Sequence, residues 1–210
     1  MQKKAKRRDG ILIYHEDRDI IVVEKPEGLL TVATNYTEHS LHSIVKTWRR
    51  RVWPVQRLDR ETSGVIVFAL NEESRDYLKE QFAEHSIERE YQGIVCGELM
   101  DAGTWQSRLK EDKNYFVRSH PHGEVAITHY EPLGYSRKKT TLVKFLLETG
   151  KKNQIRVHAS EAGFPLLGDT KYGNLSWKRL ALHAHRLSFT HPVTKKRMAF
   201  TSPSPLGETK

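Results

Sequence analysis

Residues 57–70 read Arg-Leu-Asp-Arg-Glu-Thr-Ser-Gly-Val-Ile-Val-Phe-Ala-Leu, a polar turn running straight into an apolar stretch. Val65–Leu70 is continuous in hydrophobic residues, the pattern of a strand buried on both faces. Asp59 lies in the turn, between Arg57 and Arg60 and ahead of Thr62, Ser63 and Gly64. A carboxylate held by guanidinium groups, hydroxyls and amides keeps a low pKa and stays ionised at neutral pH. In that form it can act as nucleophile or base. On these residues alone, a salt-bridged structural loop is the commoner outcome.

Outward from this stretch, strands and a few helices alternate irregularly. Ile20–Glu24 reads as a buried strand ending at Pro26 and Gly28. Leu41, Ile44, Val45 and Trp48 have helical spacing behind a Ser40 N-cap. Asn71 is expected to cap a helix through His85, with Glu72 and Glu73 in the first turn. Ile87–Cys96 is extended. Val125–Glu131 and Thr140–Leu147 form an expected hairpin around a basic loop. Gln154–Ala162 reads as a short helix stopped by Gly163 and Pro165. Leu180–Phe189 and Arg197–Thr201 read as a last strand pair. Few helices without regular βα alternation predict an α+β fold with a mixed, largely antiparallel β-sheet core and flanking helices.

The chain has 210 residues, enough for one domain. No repeat or linker suggests a boundary, so a single domain over residues 11–210 is expected behind a basic, flexible arm at 1–10. No apolar run approaches the ~20 residues of a membrane span. No apolar stretch suited to a secretory signal follows the basic N-terminus. One cysteine, Cys96, excludes an intramolecular disulfide and a multi-cysteine metal site. It is expected buried, in a reducing cytoplasmic setting. The net charge of +9 attracts polyanions. Basic clusters at Lys3–Arg8, Arg49–Arg51, Arg137–Lys139, Lys151–Lys152 and Lys195–Arg197 suit a surface that follows a phosphate backbone.

Phosphate-loop, dinucleotide and nucleophile-elbow signatures are missing from the sequence. The eleven histidines show no recognisable metal spacing, so structural or RNA-facing roles are expected for them. Any chemistry then rests on side chains acting without a metal or cofactor.

Arg57–Leu70 resembles the catalytic motif of the RluA-type pseudouridine synthases. Four further stretches resemble that family in the same order. They are Ile20–Leu29 with its Lys-Pro-x-Gly turn, Glu88–Gly97 with its tyrosine, Leu147–Gly173, and Leu182–Pro192. The resemblance runs from about Ile11 to Pro205. It implies isomerisation of uridine to pseudouridine within rRNA or tRNA, without a cofactor, by a stand-alone catalytic core that has no additional N-terminal RNA-binding module. A monomer is expected.

By position, the resemblance places the catalytic aspartate at Asp59 and its arginine partner at Arg156. Tyr91 falls on the tyrosine that stacks on the target base, and Ile155 on the aliphatic residue near the uracil. Arg57 falls on an arginine linked to base displacement. Thr62 and Lys25 complete the expected substrate-facing set, although Lys25 also suits a turn. Gly168, Asp169 and Gly173 read as loop architecture. The sequence departs from the family at Gln56, where histidine is frequent, and at Asn153, in a segment that usually reads Gly-Arg-x-His-Gln. A binding protein that kept the fold and lost the reaction is the alternative.

Overall fold

A computed structural model describes residues 6–33, 39–136 and 139–206. In chain order the elements are β1 (Lys6–Arg8), β2 (Ile11–Glu16), β3 (Ile20–Lys25), α1 (Leu41–Trp48), β4 (Trp53–Pro54), β5 (Ser63–Ala69), α2 (Glu72–Ala83) and β6 (Glu88–Cys96). Then follow β7 (Gly103–Glu111), β8 (Val117–Ser119), β9 (Glu124–Ser136), β10 (Thr140–Leu147), α3 (Gln154–Glu161), β11 (Leu182–Thr190) and β12 (Arg197–Thr201). This is the expected α+β class. The chain divides into two compact units, Met1–Glu88 with Ala184–Pro203 and Arg89–His183 with Ser204–Lys210.

In the first unit the strand order is β1-β2-β3-β5-β11, with β4 beside β5 and β12 beside β11. Each residue of β5 is buried, as its unbroken apolar run requires. Ile20, Val22, Val65, Val67, Leu78 and Phe189 form the core. Helix α1 starts with a capping box. The Ser40 side chain accepts from Ser43 N, and the Ser43 side chain accepts from Ser40 N. Helix α2 is capped by Asn71. It ends two residues before the expected His85, which turns into the left-handed region at φ 57°. Part of the expected arm is strand. Lys6–Arg8 pair antiparallel with Ile11–Ile13 through a turn at Asp9 and Gly10, both at positive φ. Residues 1–5 of that arm lie outside the described residues.

The second unit holds an antiparallel sheet in the order β6-β10-β9-β7-β8. The hairpin expected around the basic loop is β9–β10, and β9 runs longer than its apolar residues suggested. Pro132, which has no N–H for the ladder, adjoins an irregularity that leaves Leu133 outside the register. Val95, Val143, Phe145, Ile155, Leu166 and Leu182 form the core beneath α3. Cys96, at the end of β6, is half-buried rather than buried, and burial still raises its thiol pKa.

Candidate active site

The first unit clamps the main chain around Asp59. Thr31 Oγ1 donates to the Leu58 carbonyl at 2.8 Å, and the Leu58 amide donates back to that hydroxyl at 3.1 Å. On the other side, the Arg60 carbonyl accepts from the Gly28 amide at 2.9 Å. Arg60 Nε returns a bond to the Gly28 carbonyl at 3.0 Å. The Thr62 amide closes the turn on the Asp59 carbonyl at 3.1 Å. A half-buried carboxylate is thus carried on a segment whose backbone is fixed by the Pro26–Thr31 loop. Arg57, two residues earlier, is exposed.

Two residues expected to face substrate have structural duties here. Lys25 is fully buried. Its Nζ donates to the carbonyls of Pro26, Leu29 and Arg60 at 2.9, 2.6 and 3.1 Å. An amine spent on three loop carbonyls and shut away from solvent fastens the turn, so the expected RNA contact is corrected. Thr62 is also buried, and its described bond is the turn amide. Its backbone thereby helps to close the turn that carries Asp59. Thr31, which fixes the Leu58 backbone, carried no signal in the sequence beyond its hydroxyl. Gln56 is half-buried, and among the described residues its Nε2 meets no acceptor.

Ser63 and Gly64 open β5, and Gly64 takes φ 125°. A Cβ there would lie 2.2 Å from the Ala184 carbonyl oxygen. Only glycine allows this approach of strand to strand.

The second unit gathers Tyr91, Ile155 and Arg156. Tyr91 stands on β6 opposite Phe145 of β10 and packs, half-buried, on the core that contains Ile155. Ile155 and Arg156 follow each other in α3 and are both buried. The start of that helix is fixed by Gln154. Its Oε1 accepts from Thr149 Oγ1 at 2.8 Å and from Lys151 N at 2.9 Å. Its Nε2 donates to Ile127 O and Thr128 Oγ1, both at 2.9 Å. Asn153 precedes it at φ 54°, a conformation that asparagine tolerates better than most residues.

Arg156 makes a forked pair with Asp169. Nε reaches Oδ2 at 2.9 Å and Nη2 reaches Oδ1 at 2.8 Å. Asp169 Oδ1 also accepts the amides of Lys171 and Tyr172, at 2.9 and 3.0 Å. Burial by itself would raise the Asp169 carboxyl pKa. The Arg156 bond and charge, with the two amides, outweigh it and hold the carboxyl below its usual range. Asp169 therefore helps to aim Arg156, a role that its loop position did not suggest.

A third cluster lies in the first unit. His15 Nε2 and His191 Nε2 stand 2.7 and 2.9 Å from Asp17 Oδ2. The set has metal-ligand composition. However, Val193 N and Thr194 N donate to His191 Nδ1, which places that ring's proton on Nε2. A protonated Nε2 has no lone pair for a metal and donates to Asp17. Asp17 Oδ1 meanwhile accepts the amides of Asp19 and Ile20. The cluster ties β11 to the β2–β3 turn.

The family profile described as RNA pseudouridylate synthase matches residues 19–161. A dual-specificity RNA pseudouridine synthase RluA of Pasteurella multocida is 37% identical over 91% of this chain and 92% of its own length. A tRNA pseudouridine synthase C of Haemophilus ducreyi is 34% identical over 90% of this chain and 89% of its own. Among solved structures, human RNA pseudouridylate synthase domain containing 4 superposes with a TM-score of 0.75. It covers 92% of this chain and 88% of its own at 24% identity, a likeness of fold.

Proposed function

The chain belongs to the RNA pseudouridine synthase family, of the RluA type, and its reaction is the isomerisation of uridine to pseudouridine in RNA; we propose that Asp59 carries that reaction, with Tyr91 and Arg156 acting on the same uridine. The reaction breaks the N1 glycosidic bond, turns the uracil and joins C5 to the sugar, with the C5 proton exchanged for one on N1. It is redox-neutral. The base must first leave its stack, at a cost of a few kcal/mol. Stacking on the Tyr91 ring returns roughly 1–3 kcal/mol of this. Arg156 orients the reacting carboxylate, Ile155 packs beside the uracil and Arg57 helps displace the base.

The observation that carries this reading is the clamped backbone on both sides of Asp59. A carboxylate fixed in this way meets a reacting sugar or base without first being ordered. The substrate is structured rRNA, tRNA or both, met by a monomer in the cytoplasm. Residues 11–210 serve as one catalytic domain. Among the described residues, no helix is long and apolar enough to cross a membrane.

Pseudouridine mapping of total RNA, with and without the gene, identifies the target. Asp59→Asn is expected to abolish formation there while keeping fold and RNA affinity. Full activity in that variant overturns the assignment. A loss-of-gene phenotype rescued by Asp59→Asn would support the binding-protein alternative instead.

A further inference from the structure

Beyond Arg156, the second unit carries a set of rings and cations with no part in the proposed reaction. It is centred on the turn joining β7 to β8. Tyr115, at the tip, is 72% exposed and sits at φ 62°. A bulky residue in the left-handed region costs about 1–2 kcal/mol, and asparagine or glycine takes that position more cheaply. Asn114 is the preceding residue, yet the tyrosine occupies the strained position.

The turn around it is firmly built. Asp112 N donates to Phe116 O at 2.7 Å, and Tyr115 N donates to Asp112 O at 3.0 Å. Asp112 Oδ1 accepts the amides of Asn114 and Phe116. Lys171 Nζ donates to the Tyr115 carbonyl at 2.6 Å. An exposed ring is therefore mounted on a rigid frame.

Cations surround it. Lys152 Nζ lies 5.4 Å from the Tyr115 ring centre, although Glu111 shares that ammonium. Lys171 Nζ lies 4.7 Å from the Phe116 ring and 5.4 Å from that of Tyr172, while Arg118 stands over Phe116 at 5.5 Å. The Phe116 and Tyr172 rings meet edge to face at 5.8 Å, and Arg156 lies 5.4 Å from Tyr172. Rings and cations thus lead from Arg156 out to the exposed Tyr115. Aromatic faces interleaved with cations are the composition that binds single-stranded nucleic acid, the rings stacking bases and the cations meeting phosphates.

We propose that Tyr115 is a stacking platform for an unpaired nucleotide of the RNA substrate outside the target uridine, with Lys152 and Lys171 beside the adjoining phosphates. This rests on the reading of the chain as an RNA enzyme.

Two variants separate ring from backbone. Tyr115→Asn removes the ring and suits the left-handed position. Tyr115→Phe keeps the ring. Affinity is measured with a fluorescein-labelled, mixed-sequence, single-stranded 12-nucleotide RNA. Turnover is measured on a transcript that the parent protein modifies. Tyr115→Asn is expected to weaken binding by about 5- to 100-fold, with kcat at saturating RNA unchanged. Tyr115→Phe is expected to stay within about twofold of the parent. Equal affinity of Tyr115→Asn and parent, or equal loss in both variants, overturns the platform. If the parent itself forms no pseudouridine on any RNA, the enzymatic reading has failed. If the parent is active and Tyr115→Asn binds like it, the platform alone has failed.

Discussion

Arg156 and Asp169 face each other as a fork on a fork, two parallel N–H···O bonds sealed inside the second unit. The planar guanidinium and the carboxylate fix each other's orientation as well as position. The carboxylate is steadied in turn by two amides of its own loop. The direction of Arg156 is thereby set from a loop beyond the end of the helix that carries it.

Weakening this fork is expected to harm turnover more than binding. Asp169→Asn keeps the shape and one acceptor but loses the charge. The reorientation of Arg156 is expected to lower kcat by on the order of 10- to 100-fold, with KM for RNA little changed. A more drastic change, Asp169→Ala, strips both bonds from a buried guanidinium. Its expected cost of about 3–5 kcal/mol reads out in urea denaturation. A kcat for Asp169→Asn equal to that of the parent removes Asp169 from the positioning role.

The same pair makes an acid-sensitive contribution to stability. The Asp169 carboxyl is held below its ordinary value, so on acidification the unfolded chain takes up that proton first. The stabilisation is complete above about pH 4, the ordinary aspartate range, and is lost as pH falls through the depressed folded value. Asp17, bonded to two histidines and two amides, is shifted in the same direction. Urea midpoints between pH 2 and 6 are therefore expected to fall more steeply below pH 4 for the parent than for Asp169→Asn. Parallel curves would show that this pair adds no acid sensitivity.

Where burial is complete or a cap is local, sequence and structure agree. Val65–Leu70 is apolar without a break and becomes the buried β5, and Ser40 and Asn71 cap their helices through the expected side chains. Strand β7 was not anticipated, because most of its nine residues stay exposed or half-exposed and leave little apolar alternation to read. Strand β1 is three basic residues held by backbone pairing, a bond that side chains do not announce. In the site, Asp59 stood out because acid, arginines and hydroxyls are adjacent in the chain. Thr31 and Asp169 did not, since each acts on a residue well away in sequence. Lys25 misled for a related reason: a lysine beside a turn resembles a phosphate contact until the carbonyls closing around it are known.

Two glycines, Gly28 in a turn and Gly64 in β5, provide a graded test of backbone geometry. At Gly28 the φ is 77°, but an added Cβ would meet nothing within 4 Å. Gly28→Ala is thus expected to cost only the left-handed strain, about 1–2 kcal/mol. Gly64 combines φ 125° with a Cβ position 2.2 Å from the Ala184 carbonyl oxygen. There the backbone of β5 or β11 must move. Gly64→Ala is expected to cost more than about 3 kcal/mol, or to prevent folding. Thermal unfolding checks the order, and equal midpoints for the two variants would contradict the close approach.

Salt dependence distinguishes Lys25 from Arg57, two cations that the sequence placed together. Each phosphate contact contributes roughly 0.7–0.9 to the slope of log affinity against log salt. Arg57 is exposed beside Asp59, and its removal as Arg57→Gln is expected to reduce the slope by about that amount. Lys25 is fully enclosed and donates to three carbonyls, so it has no phosphate to give up. Lys25→Met leaves those carbonyls without their shared donor, and at ~1–3 kcal/mol for a buried polar group left unsatisfied the expected cost is several kcal/mol of stability. The folded fraction of that variant is expected to bind RNA with the parent slope. Filter binding at four or five salt concentrations, on protein verified as folded, measures both. A slope lowered in Lys25→Met and unchanged in Arg57→Gln would reverse the two roles.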